Sequence, residues 1–139
     1  MNDKYCGILN TRKGDFRYRY KPIFSKEHGT IIYYFDIWQQ GDNPDDYKNF
    51  SFLLKELPNG TDLKVIDLFA NKYEGCGISI PIILKAKEIF AKRIISSSNN
   101  HKMHYSEANW QDAIDKVWLP MVSQGLAKYD DANDIFIVL

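Results

Sequence analysis

"NKYEGCGISIPIILKAKEIF", residues 71–90, is where the pattern of this chain changes. Before it, β-branched and aromatic residues run in short blocks separated by turn-forming residues. After its two glycines, apolar residues recur at helical spacing. Ile78, Ile82, Leu84, Ala86, Ile89 and Phe90 make a stripe wide enough to cover a sheet. Pro81 is tolerated there because the first turn of a helix has no internal donor bonds to lose. Gly75 and Gly77 thus mark a strand-to-helix junction. A helix start exposes unpaired N–H groups and the positive end of the helix dipole, so bare backbone at that point can hold an anion. A plain turn, in which glycine only supplies positive φ, has the same composition. The loop is not a P-loop, since no Lys-Ser/Thr pair follows it. A dinucleotide fingerprint needs a third glycine and a preceding parallel strand, and neither is present.

Working outward, "FRYRYKPIF" (16–24), "TIIYYFDIW" (30–38), "NFSFLLKEL" (49–57) and "DLKVIDLFA" (62–70) each read as strands. "SKEHG", "QQGDNPDDY" and "PNG" between them are turns by composition. Short connections make the four an antiparallel meander. After the junction helix, "RIISSS" (93–98) reads as a fifth strand and "DIFIVL" (134–139) as a closing one. "SEANWQDAIDKVWLPMVSQG" (106–125) reads as a second helix, with Ser106 and Glu107 in its first turn, Gly125 at its end, and Pro120 kinking or stopping it early. The expected fold is α+β (α/β), a mixed, mostly antiparallel central sheet of about six strands with two main helices, in one domain spanning 1–139.

Composition narrows the function. The chain has 139 residues, 45% of them hydrophobic, which suits a folded domain with a real core. Eighteen basic residues balance eighteen acidic ones, so the basic surplus of a duplex-binding protein is missing and nucleic acid is not expected as a partner. No apolar run reaches the roughly 20 residues of a membrane span. "MNDKYCGILN" has no apolar core of signal-peptide length, and two distant cysteines, Cys6 and Cys76, make no disulfide framework. The expectation is a cytoplasmic, reduced protein.

A strand, then "YEGCGIS", then a helix of the "IPIILKAKEIFAKR" kind and a short strand resembles the acyl-CoA-binding core of the GNAT-type N-acetyltransferases, which carries the pattern Gln/Arg-x-x-Gly-x-Gly/Ala. The tail "VWLPMVSQGLAKYD" is similar to that of small, phage-type members. The resemblance implies a GNAT-like fold and transfer of an acetyl group from acetyl-CoA to an amine acceptor, either a small molecule or a protein. Coenzyme A or acetyl-CoA would lie in a gap between the fourth and fifth strands. Its pyrophosphate would rest on the loop Glu74, Gly75, Cys76, Gly77, Ile78 and Ser79. Its pantetheine arm would pair with the backbone of Leu68, Phe69 and Ala70. The chain departs from the pattern in three places. Glu74 stands where arginine or glutamine is usual, and Ser79 where glycine or alanine is. Met121 stands four residues before Gly125, where many members place a tyrosine acid. The two helices that normally follow the first strand and shape the acceptor site have no room in "KEHGT". The alternative is therefore a GNAT-like binding or interaction module that has lost catalysis.

Candidate chemistry is sparse. Asp67 is the carboxylate inside the fourth strand's apolar run; strand parity puts it on the face of Val65 and Phe69. It is a general base, an amine anchor or an ordinary sheet-face carboxylate. Tyr105 precedes the second helix and is either a proton donor to a leaving thiolate or packing. His101 and His104 have ligand spacing without a third partner in sequence, which reads as a polar loop and no metal site. Cys76 at a helix start is a reactive thiolate or a plain loop residue. Arg12, Lys13, Arg17, Arg19, Lys21 and Lys26, interleaved with Phe16, Tyr18 and Tyr20, either bind single strands or protect an exposed edge.

Overall fold

The computed structural model describes residues 6–100 and 107–139. One mixed sheet organises them, with eight strands in the order β1-β2-β3-β4-β5-β6-β8-β7. The strands are β1 (Cys6–Thr11), β2 (Gly14–Ser25), β3 (Thr30–Gln39), β4 (Phe50–Glu56), β5 (Asp62–Phe69), β6 (Arg93–Ile95), β7 (Ala127–Asp130) and β8 (Ile135–Val138). The first five form an antiparallel meander, as the short connections require. Helix α1 (Ser79–Phe90) then crosses over so that β6 pairs with β5 in parallel.

The sheet is larger than the expected six strands. Both additions are edge strands: β1 carries a glycine and polar residues, and β7 reads AKYD. Such strands bury only one residue each, Leu9 and Ala127, so they show little of the alternation that reveals a strand. The segment 93–98 is strand only to Ile95: Ser96 N–H still bonds the Phe136 carbonyl of β8, but the returning Phe136 N–H goes to the Ser96 hydroxyl instead of its carbonyl.

The expected helix over 106–125 begins later, and Glu107 is not in it. It runs α2 (Gln111–Ala113), a π-helical turn (Ile114–Trp118) and α3 (Leu119–Ser123). Pro120 supplies the reason. It has no N–H to give the Lys116 carbonyl, and the ladder there widens by one residue, with Leu119 N–H reaching the Ile114 carbonyl.

Cross-strand register divides the sheet into two faces. Phe16, Tyr18, Tyr20, Tyr33, Phe35, Phe52, Leu54, Val65 and Leu68 share the inner face. Both helical stretches pack on it. Phe90 of α1 touches the rings of Tyr20, Tyr33 and Phe35, and Trp118 stacks on Phe136 at 5.8 Å. Trp118 is 1% exposed and belongs to the core, as does Met121. Arg17, Arg19 and Lys21 therefore point to the opposite, outer face, away from the aromatic residues with which they alternate.

One irregularity changes a site residue. Leu54 pairs with Val65 but Leu53 pairs with Asp67, so Ile66 is an extra residue in β5. The bulge reverses the parity. Asp67 shares the outer face with Leu53, Lys55, Lys64 and Phe69, and Val65 lies on the other side, contrary to the simple alternation read from sequence.

Candidate functional site

β5 and β6 pair over only three residues, Asp62–Lys64 with Arg93–Ile95. Beyond that point Ser97 Oγ still donates to the Val65 carbonyl at 2.7 Å, but β6 has ended. Among the described residues, the last residues of β5 thus have a free edge on that side. A groove of about 1030 Å³ runs along it. Leu68, Phe69 and Ala70 form one wall; Ala113, Lys116 and Val117, on the α2–π stretch, form the other; Glu74, Gly75, Gly77, Ile78 and Ser79 close the end. Cofactor-binding candidates from the strand and from the loop therefore meet in one place. Cys76, half-buried and free, is not among the residues lining it.

The loop is held from below. Tyr73 is buried, donates from its hydroxyl to Asp42 at 2.6 Å and accepts from the Gln39 N–H at 3.1 Å. Burial first, then the Asp42 contact, pushes the Tyr73 phenol above its ordinary pKa, so it stays a donor. Lys72 pairs with Asp46 at 2.8 Å, which leaves Glu74 exposed and without an ion pair among the described residues. Gly75 and Gly77 sit at φ +79° and +74°, where side chains are strained.

Helix α1 starts without a side-chain cap, and its first ladder bond runs from Ile82 N–H to the Ile78 carbonyl. The amides of Ile78, Ser79 and Ile80 lie ahead of that ladder, beside the groove. Arg12, at the tip of the β1–β2 hairpin, lies over this loop. Its Nη2 donates to the Gly75 carbonyl at 3.3 Å, and its side chain packs on Gly77. Thr11 fixes the hairpin tip by bonding the Gly14 carbonyl and accepting from Lys13 N–H.

Arg12, Lys116 and the exposed Trp110 line the groove without having been expected there. Arg12 is far from the loop in sequence, and only the strand order brings it over. Lys116 and Trp110 depend on where the second helix starts and widens. Pro120 was the available signal for the latter.

Asp67 lies next to Leu68 but on the outer face, half-buried, with no hydrogen bond or ion pair among the described residues. Burial pushes its carboxyl up to about 6. Farther along the same face Glu107 is wholly buried. Lys55 Nζ reaches both of its oxygens, at 3.1 and 2.9 Å, and Lys64 Nζ reaches Oε1 at 3.1 Å. Burial pushes the Glu107 carboxyl up, but the two ammonium contacts together outweigh it and hold it below the usual range. This residue anchors the chain segment leading to α2; its position in sequence gave it a helix-start role that it does not have.

Tyr105, His101, His104 and Ser106 lie outside the described residues. Among the described residues no group of three or more His, Cys, Asp or Glu could hold a metal, and no helix is long and apolar enough to cross a membrane. Compared with protein-family models, curated proteins and solved structures, the chain matches none.

Proposed function

We propose that the chain is an acyl-CoA-dependent N-acyltransferase that moves an acetyl group to an amine acceptor. One observation carries this reading: the free edge of β5, the glycine loop and the uncapped start of α1 all open on the same groove. That is the order of parts in the GNAT-type core that the sequence resembles. The residues fit the cofactor. The edge amides and carbonyls of Leu68, Phe69 and Ala70 would pair with an amide-bearing arm. The loop from Glu74 to Ser79 offers backbone donors for a pyrophosphate, and Arg12 adds the cation that Glu74 does not supply.

When bound, acetyl-CoA supplies an acetyl thioester. A backbone N–H at the free edge near Leu68 or Phe69 would polarise a carbonyl oxygen there, an effect worth a few kcal/mol where it has been measured. Asp67 does not line the groove; it stands on the outer face one residue before Leu68. From there it would take the proton of an ammonium arriving on that face, its carboxyl, raised to about 6, being ionised and receptive at neutral pH. What the thioester would supply is an acetyl group on a good leaving group: the amine would take the acetyl carbon in place of sulfur, and the departing thiolate would carry off the bonding pair and the second nitrogen proton.

The second reading, an interaction module without catalysis, is favoured by Glu74. An exposed, unpaired carboxylate at the phosphate end of the groove weakens anion binding. Titration with acetyl-CoA separates the two. Ligand at 100 times its Kd stabilises a fold by about 2.7 kcal/mol, which a thermal melt detects readily. An unchanged melting temperature at millimolar acetyl-CoA rejects the enzyme and leaves the module.

A further inference from the structure

We infer that the acceptor docks on the outer sheet face around Asp67, outside the groove, and that it is a lysine side chain presented by a protein or peptide; this rests on the acyltransferase reading. The register sets the composition of that face. Asp67 stands opposite Leu53, and Leu53 opposite Tyr34; Phe69 stands opposite Ser51. Tyr34, Ser51, Leu53 and Asp67 are half-buried and Phe69 is 51% exposed, and no helix among the described residues covers the patch. Both helical stretches lie on the other side of the sheet.

Charge then selects the occupant. Of the ionic groups on this face, Arg19 is committed to Asp36 and Asp45, and Lys55 and Lys64 to Glu107, while Arg17 and Lys21 stand on β2, three strands from Asp67. Asp67 has no such partner among the described residues, and it is partly desolvated beside Leu53 and Phe69. A cation that brings its own apolar cover restores the missing interaction at little desolvation cost. A lysine side chain has that form: its methylenes lie on Leu53, Tyr34 and Phe69 while its ammonium meets the carboxylate.

Shape separates a protein from a small amine. Asp67 lines neither the large groove nor the smaller cleft of about 370 Å³ beside Lys64 and Arg93. A free amine on an open sheet stays exposed to water on most sides and gains little area. An acceptor that is itself a surface supplies the second wall.

The test uses the full-length protein, labelled acetyl-CoA, a library of blocked peptides with one central lysine, and n-propylamine as the small amine. Wild type should acetylate library peptides at a kcat/KM at least tenfold above n-propylamine. Leu53→Lys places an ammonium against Asp67 and should cut peptide acetylation at least tenfold, with the acetyl-CoA Kd within twofold of wild type. Tyr34→Lys, one strand farther, gives the same readout if Leu53→Lys does not fold. Equal or better transfer to n-propylamine overturns the protein acceptor. Undiminished peptide transfer in the folded variants overturns the docking face while leaving the acyltransferase intact. A wild type that does not bind acetyl-CoA overturns both, and the melt alone detects that.

Discussion

A Cβ built on Gly77 would stand 3.0 Å from Nε of Arg12, so this glycine is constrained by a neighbouring side chain as well as by its own φ of +74°. The loop and the β1–β2 hairpin are therefore fitted to one another. Gly77→Ala should cost about 1–2 kcal/mol in urea unfolding, the usual cost of a side chain in left-handed backbone. Adding Arg12→Ala relieves the crowding but not the backbone strain, so it should recover only part of that loss. Full recovery in the double variant would assign the glycine to packing alone. Gly77→Val adds β-branching and should lower acetyl-CoA affinity at least tenfold with circular dichroism near wild type.

Glu107 offers a prediction that does not depend on the functional reading. Glu107→Gln leaves two buried ammonium groups without their counter-ion and should destabilise by about 3–5 kcal/mol at pH 7. The folded-state carboxyl is held below its unfolded value, so its contribution is present above about pH 4.3 and lost as pH falls through the lower folded value. Urea melts of wild type and variant should converge in that acid range. Replacing Lys55, Lys64 and Glu107 together by Met, Met and Leu should be nearly neutral at pH 7.

The meander, the crossover helix and the glycine junction were legible because each buries a regular apolar pattern or carries a backbone requirement. Phe50, Phe52 and Leu54 alternate cleanly, and Ile78, Ile82 and Ala86 keep helical spacing. What escaped detection rests on relations that pattern does not encode. Edge strands β1 and β7 bury too little to alternate. Ile66 looks like any strand residue, yet its lack of a cross-strand partner turns Asp67 to the outer face. Glu107 reads as a helix-start acid because its two partners, Lys55 and Lys64, lie 52 and 43 residues away. In the groove, Leu68 to Ser79 follow from local sequence, whereas Arg12 reaches Gly75 across 63 residues.

Asp67 should reveal itself through pH before any substrate is known. Its folded-state carboxyl is raised, to about 6, so ionisation opposes folding at neutral pH and the penalty disappears as pH falls below the unfolded value near 3.9. Asp67→Asn should therefore stabilise the protein by roughly 1–2 kcal/mol at pH 7.5, discounted for partial exposure, and change little at pH 4. If Asp67 is the base, the same variant loses turnover, and the acid limb of the wild-type rate profile falls at about pH 6. Stabilisation with full activity would make Asp67 a sheet-face carboxylate and nothing more.

Glu74 is the residue on which the cofactor reading is most exposed. It lines the phosphate end of the groove, is solvent-exposed, and is not held by Lys72, whose ammonium is 2.8 Å from Asp46. A carboxylate there repels a pyrophosphate by about 1–2 kcal/mol at surface-like dielectric and moderate salt. Glu74→Gln should therefore tighten acetyl-CoA binding several-fold, and Glu74→Arg about tenfold or more. Both gains should shrink as salt is raised. Arg12→Ala should move affinity the other way, and the opposite signs locate the phosphates between the two side chains, since general stabilisation of the loop would not produce them. Calorimetric titration of the three variants at low and high salt decides it. Should Glu74→Arg bind no acetyl-CoA at all, the loss of the site lies deeper than one charge. The groove would then belong to an interaction module.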